Sequence, residues 1–161
     1  MPPGDRAMIE IINFEDRYAT AFRELNLEWL YKYNLAESHD LEVLGDPWGT
    51  IINPGGCIFL ARENDTIAGT AALMKEHNGV YELAKMTVAP NFRGLGISKL
   101  LLNRCLQEAS RLRAKKLFLF SNHQLVTALQ LYKQFGFTDI PVENSPFETA
   151  DVKMELVLPA E

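Results

Sequence analysis

The stretch Thr87–Leu106, "TVAPNFRGLGISKLLLNRCL", constrains the fold more than any other in the chain. An apolar strand runs into Pro90, and Gly94 and Gly96 bracket a single residue. Ile97, Leu101, Cys105, Ala109 and Leu112 then recur every three or four positions, the buried stripe of one long amphipathic helix. The apolar run "KKLFLF", Lys115–Phe120, follows and has the signature of a strand buried on both faces. Strand, glycine turn, helix and strand make a right-handed crossover between parallel strands. At the mouth of such a helix the first N–H groups lack carbonyl partners, and the peptide dipoles leave partial positive charge. Glycines at 94 and 96 keep Cβ atoms away from those amides, and Arg93 adds a guanidinium, so the turn reads as a cradle for phosphate oxygens. The dinucleotide pattern G-x-G-x-x-G fails at Lys99, and no G-x-x-x-x-G-K-[ST] is present, which disfavours NAD and nucleoside triphosphates.

The rest of the chain supplies an antiparallel setting for this unit. Residues 1–7 read as a disordered leader before a strand at Met8–Phe14. From Glu15 to Leu35, Tyr18, Phe22, Leu25, Trp29 and Tyr33 recur at helical spacing, which predicts one or two amphipathic helices with Trp29 in the core. Asp40–Gly56 carries "GDPWG" and "NPGG", turn chemistry that predicts a surface loop. Strands at Cys57–Glu63, Ile67–Lys75 and Val80–Val88 are separated by "ENDT" and "EHNG", which suit hairpins. Leu125–Phe135 predicts a second helix stopped by Gly136, and strands at Phe137–Val142 and Asp151–Leu158 flank the "ENSPFET" loop. The expected class is an α+β (mixed α/β) fold, as a single domain over residues 1–161.

Composition narrows the function. No apolar run reaches the roughly 18 residues needed to span a bilayer, and Met1–Ile12 lacks the basic start and apolar core of a secretory signal, so a cytoplasmic protein without a membrane partner is expected. The net charge of −5 speaks against a nucleic-acid partner. Its distribution is uneven: Arg93–Lys116 carries a net +6, leaving −11 on the remainder, so this basic stretch is either a solvated helix face or a field for an anionic ligand. Cys57 and Cys105 lack CxxC or Cys/His ligand spacing and read as reduced, buried thiols, and no metal site is expected. His39, His77 and His123 fall in turns or loops with no Ser or Cys partner at recognisable spacing.

A second motif lies roughly 25 residues after the first: "SNHQLVTALQLYKQFGFTDI" sets Ala128 and Tyr132 on one helix face ahead of Gly136–Phe137. The two in this order resemble the GNAT superfamily of acetyl-CoA-dependent N-acetyltransferases, over about Ile9–Leu158. The resemblance implies a central mixed, mostly antiparallel sheet of about six to seven strands flanked by helices. In it, strand Val80–Val88 would splay from strand Lys116–Phe120 to admit the pantetheine arm of acetyl-CoA. The main chain of Met86, Thr87 and Val88 would hold that arm and polarise the thioester carbonyl, while their side chains pack. The pyrophosphate would rest on the turn Asn91–Gly96, with Arg93, Gly94, Leu95, Gly96, Ile97 and Ser98 as its contacts. Asn91 departs from the family's usual glutamine or arginine, and Leu125 stands where many members carry asparagine. Asn122 is the residue on offer for pantetheine.

Acetyl transfer to a primary amine, with no acyl-enzyme, needs a base for the ammonium and a proton for the departing sulfur. Glu82, in the strand before the cradle, is the candidate base, with Glu76 behind it. The alternative is a solvent-facing Glu82 with deprotonation through water. Tyr132 is the candidate general acid, against the reading of a core aromatic with a satisfied hydroxyl. Glu28, Glu37, Asp40, Asp46, Glu143 and Glu148, with Trp29 and Tyr33, are expected around a small-molecule or peptide amine. A non-catalytic acyl-CoA-binding sensor remains the alternative function, and the resemblance also implies a possible homodimer.

Overall fold

In the computed structural model, which describes residues 8–159, one seven-stranded sheet forms the frame. Its strands are β1 (Glu10–Asn13), β2 (Cys57–Glu63), β3 (Thr66–His77), β4 (Val80–Val88), β5 (Lys116–Ser121), β6 (Thr138–Ile140) and β7 (Val152–Val157), in the spatial order β1-β2-β3-β4-β5-β7-β6. All neighbours are antiparallel except β4 and β5, the pair joined by the crossover. The two hairpin turns form where they were expected, through Asn64 at φ 53° and Gly79 at φ 78°. The leader expected at residues 1–7 lies outside the described residues.

Helices cover both faces, each burying the stripe its sequence supplies. On one face lie α3 (Ile97–Arg111) and α4 (Val126–Gln134). There Leu101, Leu102, Cys105 and Ala109 pack against Leu73, Leu83 and Leu117. On the other face lie α1 (Ala19–Lys32) and α2 (Ser38–Gly45), where Phe22, Val43 and Leu44 meet Ile58, Leu60 and Ala72. Removing one such leucine side chain typically costs about 2–5 kcal/mol.

Two expectations fail here. Asp40–Gly56 is not a surface loop: it contains most of α2 and a π-helical turn at Trp48–Ile52, and it buries Val43, Leu44 and Ile51. The start of α2 is fixed by Asp40, whose carboxylate accepts the Glu37 N–H at 2.9 Å. The glycines and prolines that signalled a loop occupy only the connections around these helices. Trp29 is not in the core: it is half-buried, with its ring 5.2 Å from that of Tyr33. Only Phe22 of the predicted α1 stripe is fully buried, because Trp29 and Tyr33 at the far end of α1 line an open cleft.

The course of β4 positions the site. Ala72 faces Ala84 and Thr70 faces Thr87, so Lys85 and Met86 stand opposite Ala71 alone. This is a β-bulge, and Lys85 sits in it at φ 52°, a region a lysine occupies only under tertiary constraint. The constraint is a buried polar chain in which Asn26 Nδ2 donates to Thr70 Oγ1 at 3.0 Å and Thr70 Oγ1 donates to the Lys85 carbonyl at 2.7 Å. Just before the bulge the pairing with β5 stops. Only Val80–Lys116, Tyr81–Leu117 and Glu82–Phe118 are in register, after which the two strands diverge.

Candidate active site

A cleft of about 640 Å³ opens from this divergence. Its floor is β4 from Glu82 to Val88, one side is the cradle turn, and the other is formed by α4, the end of α1 and the segment Phe147–Ala150.

At the cradle, Gly94 and Gly96 adopt φ 77° and 79°, and a Cβ built on either would meet nothing within 4 Å. The glycines therefore answer to conformation and to open space above the backbone, not to a packed neighbour. Among the described residues, the N–H groups of Gly94, Leu95, Gly96, Ile97, Ser98 and Lys99 find no acceptor, and the helix start carries no side-chain cap. Six successive unpaired donors at a helix N-terminus form a site of the charge and geometry that phosphate oxygens require. Arg93 and Lys99 border it, whereas Arg104 lies over the Phe59 ring and Arg111 pairs with Glu108. The basic stretch thus divides: two cations face the cleft, and others serve the body of α3. Ile97 and Thr87 bury their side chains and offer only main chain, while Leu95 is 43% exposed.

Glu82 points into the cleft and is half-buried. Loss of solvent raises its carboxyl, Lys85 opposes the rise, Glu76 and Asp40 add to it and Lys153 lowers it, leaving a pKa of about 7. The solvent-facing alternative for this residue does not describe it, and Glu76, at the exposed end of β3, does not line the cleft. Tyr132 is buried on the opposite wall, its ring 5.9 Å from Phe137. Burial pushes its phenol up to about 12, and its hydroxyl has no hydrogen-bond partner among the described residues. No buried side-chain oxygen among the described residues lacks a partner, so the Tyr132 hydroxyl opens to the cleft and not into the core.

Asn122 lines the cleft, but its side chain is already employed. Its amide donates to the Thr149 carbonyl at 2.8 Å and its carbonyl accepts the Gln124 N–H at 3.1 Å. The strap Phe147–Thr149 is held from the other side by Glu37, which accepts the Glu148 N–H at 2.8 Å and the Thr149 N–H at 3.1 Å, together with the Thr149 hydroxyl. Burial raises the Glu37 carboxyl, but these donors outweigh it and hold the group below its ordinary value. Of the six acids expected to face an amine, only Asp40 lines the cleft, and it forms a buried ion pair with Lys85. Sequence reasoning missed Lys85, Phe120 and Phe147, which line the cleft beyond Glu82, and Lys153, which stands behind them with its ammonium on the Phe120 ring.

Residues 18–137 match the model of the Acetyltransferase (GNAT) family. The chain belongs to that family. It is 31% identical over 138 residues to the IAA acetyltransferase of Azospirillum brasilense, covering 85% of this chain and 80% of that protein. It is 32% identical over 90 residues to the N-acetylaspartate synthetase of Xenopus tropicalis, covering 55% of this chain; the chain spans 33% of the length of that relative. Among solved structures, a GNAT-family acetyltransferase from Staphylococcus aureus Mu50 superposes with a TM-score of 0.86 at 24% identity, over 94% of this chain and all of that one. The PaiA N-acetyltransferase of Thermoplasma acidophilum, solved in complex with coenzyme A, superposes at 0.73 with 16% identity, over 94% and 99% of the two chains. The seven-stranded, mostly antiparallel sheet flanked by helices matches the fold of these neighbours.

Proposed function

We propose that this chain is an N-acetyltransferase that moves an acetyl group from acetyl-CoA directly to a primary amine, both bound at once. The observation that carries the reading is continuity: the six unpaired amides of the cradle, the splayed edge of β4, Glu82 and Tyr132 all border one cleft. The group fits: a diphosphate matches the N–H groups from Gly94 to Lys99 with Arg93 beside it, and the free edge of β4 at Met86 and Val88 suits the amides of a pantetheine arm. Thr87, Leu95, Ile97 and Ser98 contribute main chain, and Asn122 shapes the wall through its bond to Thr149. Bound acetyl-CoA supplies the thioester acyl group.

Glu82 takes the proton from the amine nitrogen. With a pKa near 7 it is partly ionised at neutral pH and more basic than an ordinary carboxylate, which suits it to an acceptor that arrives as an ammonium. Tyr132 holds its proton at Oη across the physiological range on the wall of the cleft, where it would be available to the sulfur of bound acetyl-CoA. A phenol raised to about 12 is a weaker acid than a thiol of reference pKa about 8.5, so its main contribution is a hydrogen bond to sulfur as charge develops, with solvent completing the exchange. N–H groups near Met86 and Val88 polarise the acyl carbonyl.

The test is release of free thiol from acetyl-CoA by the pure protein with a panel of primary amines. Amine-dependent release is the expected result. Tight binding of acetyl-CoA with no release across the panel would replace this reading by the sensor.

A further inference from the structure

Beyond Glu82 the cleft wall formed by Lys85, Phe120 and Phe147 adjoins an aromatic patch whose charge is opposite to that expected for a site drawing simple cationic amines. Phe118 and Phe120, edge to face at 5.7 Å, continue to Phe147, 6.1 Å from Phe120. Two ammonium groups lie on these rings: Lys153 Nζ is 5.2 Å from the centre of Phe118 and 5.1 Å from that of Phe120, and Lys85 Nζ is 5.3 Å from that of Phe147. Lys85 is neutralised by Asp40. Lys153 is not neutralised: among the described residues no carboxylate lies within ion-pair distance of it, and the adjacent acid on its strand, Glu155, is taken by Lys116 at 3.4 Å. It stands within electrostatic reach of Glu82, whose carboxyl it lowers against the rise caused by burial.

We propose that the acceptor is a small amine carrying a carboxylate, such as an amino acid, whose carboxylate lies against Lys153 while its amino group reaches Glu82. This rests on the acetyltransferase reading above. An ammonium resting on two aromatic rings, with no carboxylate in ion-pair distance among the described residues, gives an incoming carboxylate a charge-assisted bond. A diamine or polyamine would bring a second cation against the same lysine. The strap held by Glu37 limits the room at this end, which favours a small acceptor over a folded protein surface.

The test compares matched acceptors that differ only in the carboxylate: L-phenylalanine with 2-phenylethylamine, and L-leucine with 3-methylbutylamine. In the parent enzyme kcat/KM should favour the amino acid, and in Lys153→Met that ratio should fall about tenfold or more, the size expected for a lost hydrogen-bonded charge pair. The two amines differ in basicity by the same amount for both proteins, so the change in ratio reads the lysine alone. Lys153→Arg should restore much of the ratio, and a thermal melt shows that each variant is folded. Equal use of each matched pair by the parent enzyme, or a Lys153→Met variant that lowers both members equally, overturns the proposal and leaves the acetyltransferase reading standing. A protein that binds acetyl-CoA and acetylates none of these compounds or of the wider amine panel overturns that reading, and this one with it.

Discussion

At the scale of single residues, two groups raised by burial have opposite consequences. Glu82 must be ionised to take a proton, so kcat/KM should rise with pH through about 7, and Glu82→Gln should lower turnover and flatten that limb. The same shift sets stability. Because folding raises this carboxyl from its ordinary 4.5 to about 7, its favourable contribution is complete below 4.5 and is lost as pH climbs to 7. Glu82→Gln should therefore melt higher than the parent at pH 8 and with it at pH 4, measured by calorimetry. An equal gain at both pH values would mean that packing, not charge, separates the two proteins. Tyr132→Phe removes only a hydroxyl without a partner. It should leave the melting temperature and the Kd for coenzyme A near parental while lowering kcat about 100-fold, the low end of what one hydrogen bond to charge developing in the transition state supplies.

At the scale of elements, the cradle turn answers to its own sequence and the strands around it answer to distant ones. Gly94 and Gly96 hold positive φ with empty space above, so Gly96→Val strains the backbone and fills the cradle without striking a neighbour. It should weaken coenzyme A binding at least tenfold by titration calorimetry, while the fold loses only about 1–2 kcal/mol of conformational strain. This difference in reach explains what the sequence disclosed. The turn, the stripe Ile97–Leu101–Cys105–Ala109 and the hairpins are local patterns, and each lies where spacing and turn chemistry predict. The bulge at Lys85 has no local signature, since its φ is enforced by Asn26 and Thr70 from other elements. The strap Phe147–Thr149 is fixed by Glu37 across more than a hundred residues of chain, and Asp40, expected from the sequence to face an amine, is instead occupied by the start of α2 and by Lys85. What the sequence disclosed of the cleft is therefore its cradle turn, Glu82 and Tyr132, which all line it, whereas its end at Lys85 and Phe147 is made by pairings that no spacing encodes.

At the scale of the whole molecule, the sheet is two unequal wings, β1–β4 and β5–β7–β6, joined by three rungs of parallel pairing and by the helices packed across them. A ligand that binds only the folded form adds its binding energy to stability: at a hundred times its Kd about 2.7 kcal/mol. For a chain of this size coenzyme A at that concentration should raise the melting temperature by roughly 5–10 °C. The Gly96→Val variant at the same concentration should show little shift, as followed by differential scanning fluorimetry. A parent shift no larger than that of the variant would mean that the cradle contributes nothing to binding. The three-rung seam has a mechanical corollary. Whatever lies between the wings acts as the missing mortar of the sheet, so the protein is stiffest when loaded and slackest at the instant its spent carrier departs. Each catalytic round would then end with a brief softening of the architecture itself, readable as faster amide exchange from Met86 to Val88, and the next cargo would set it firm again.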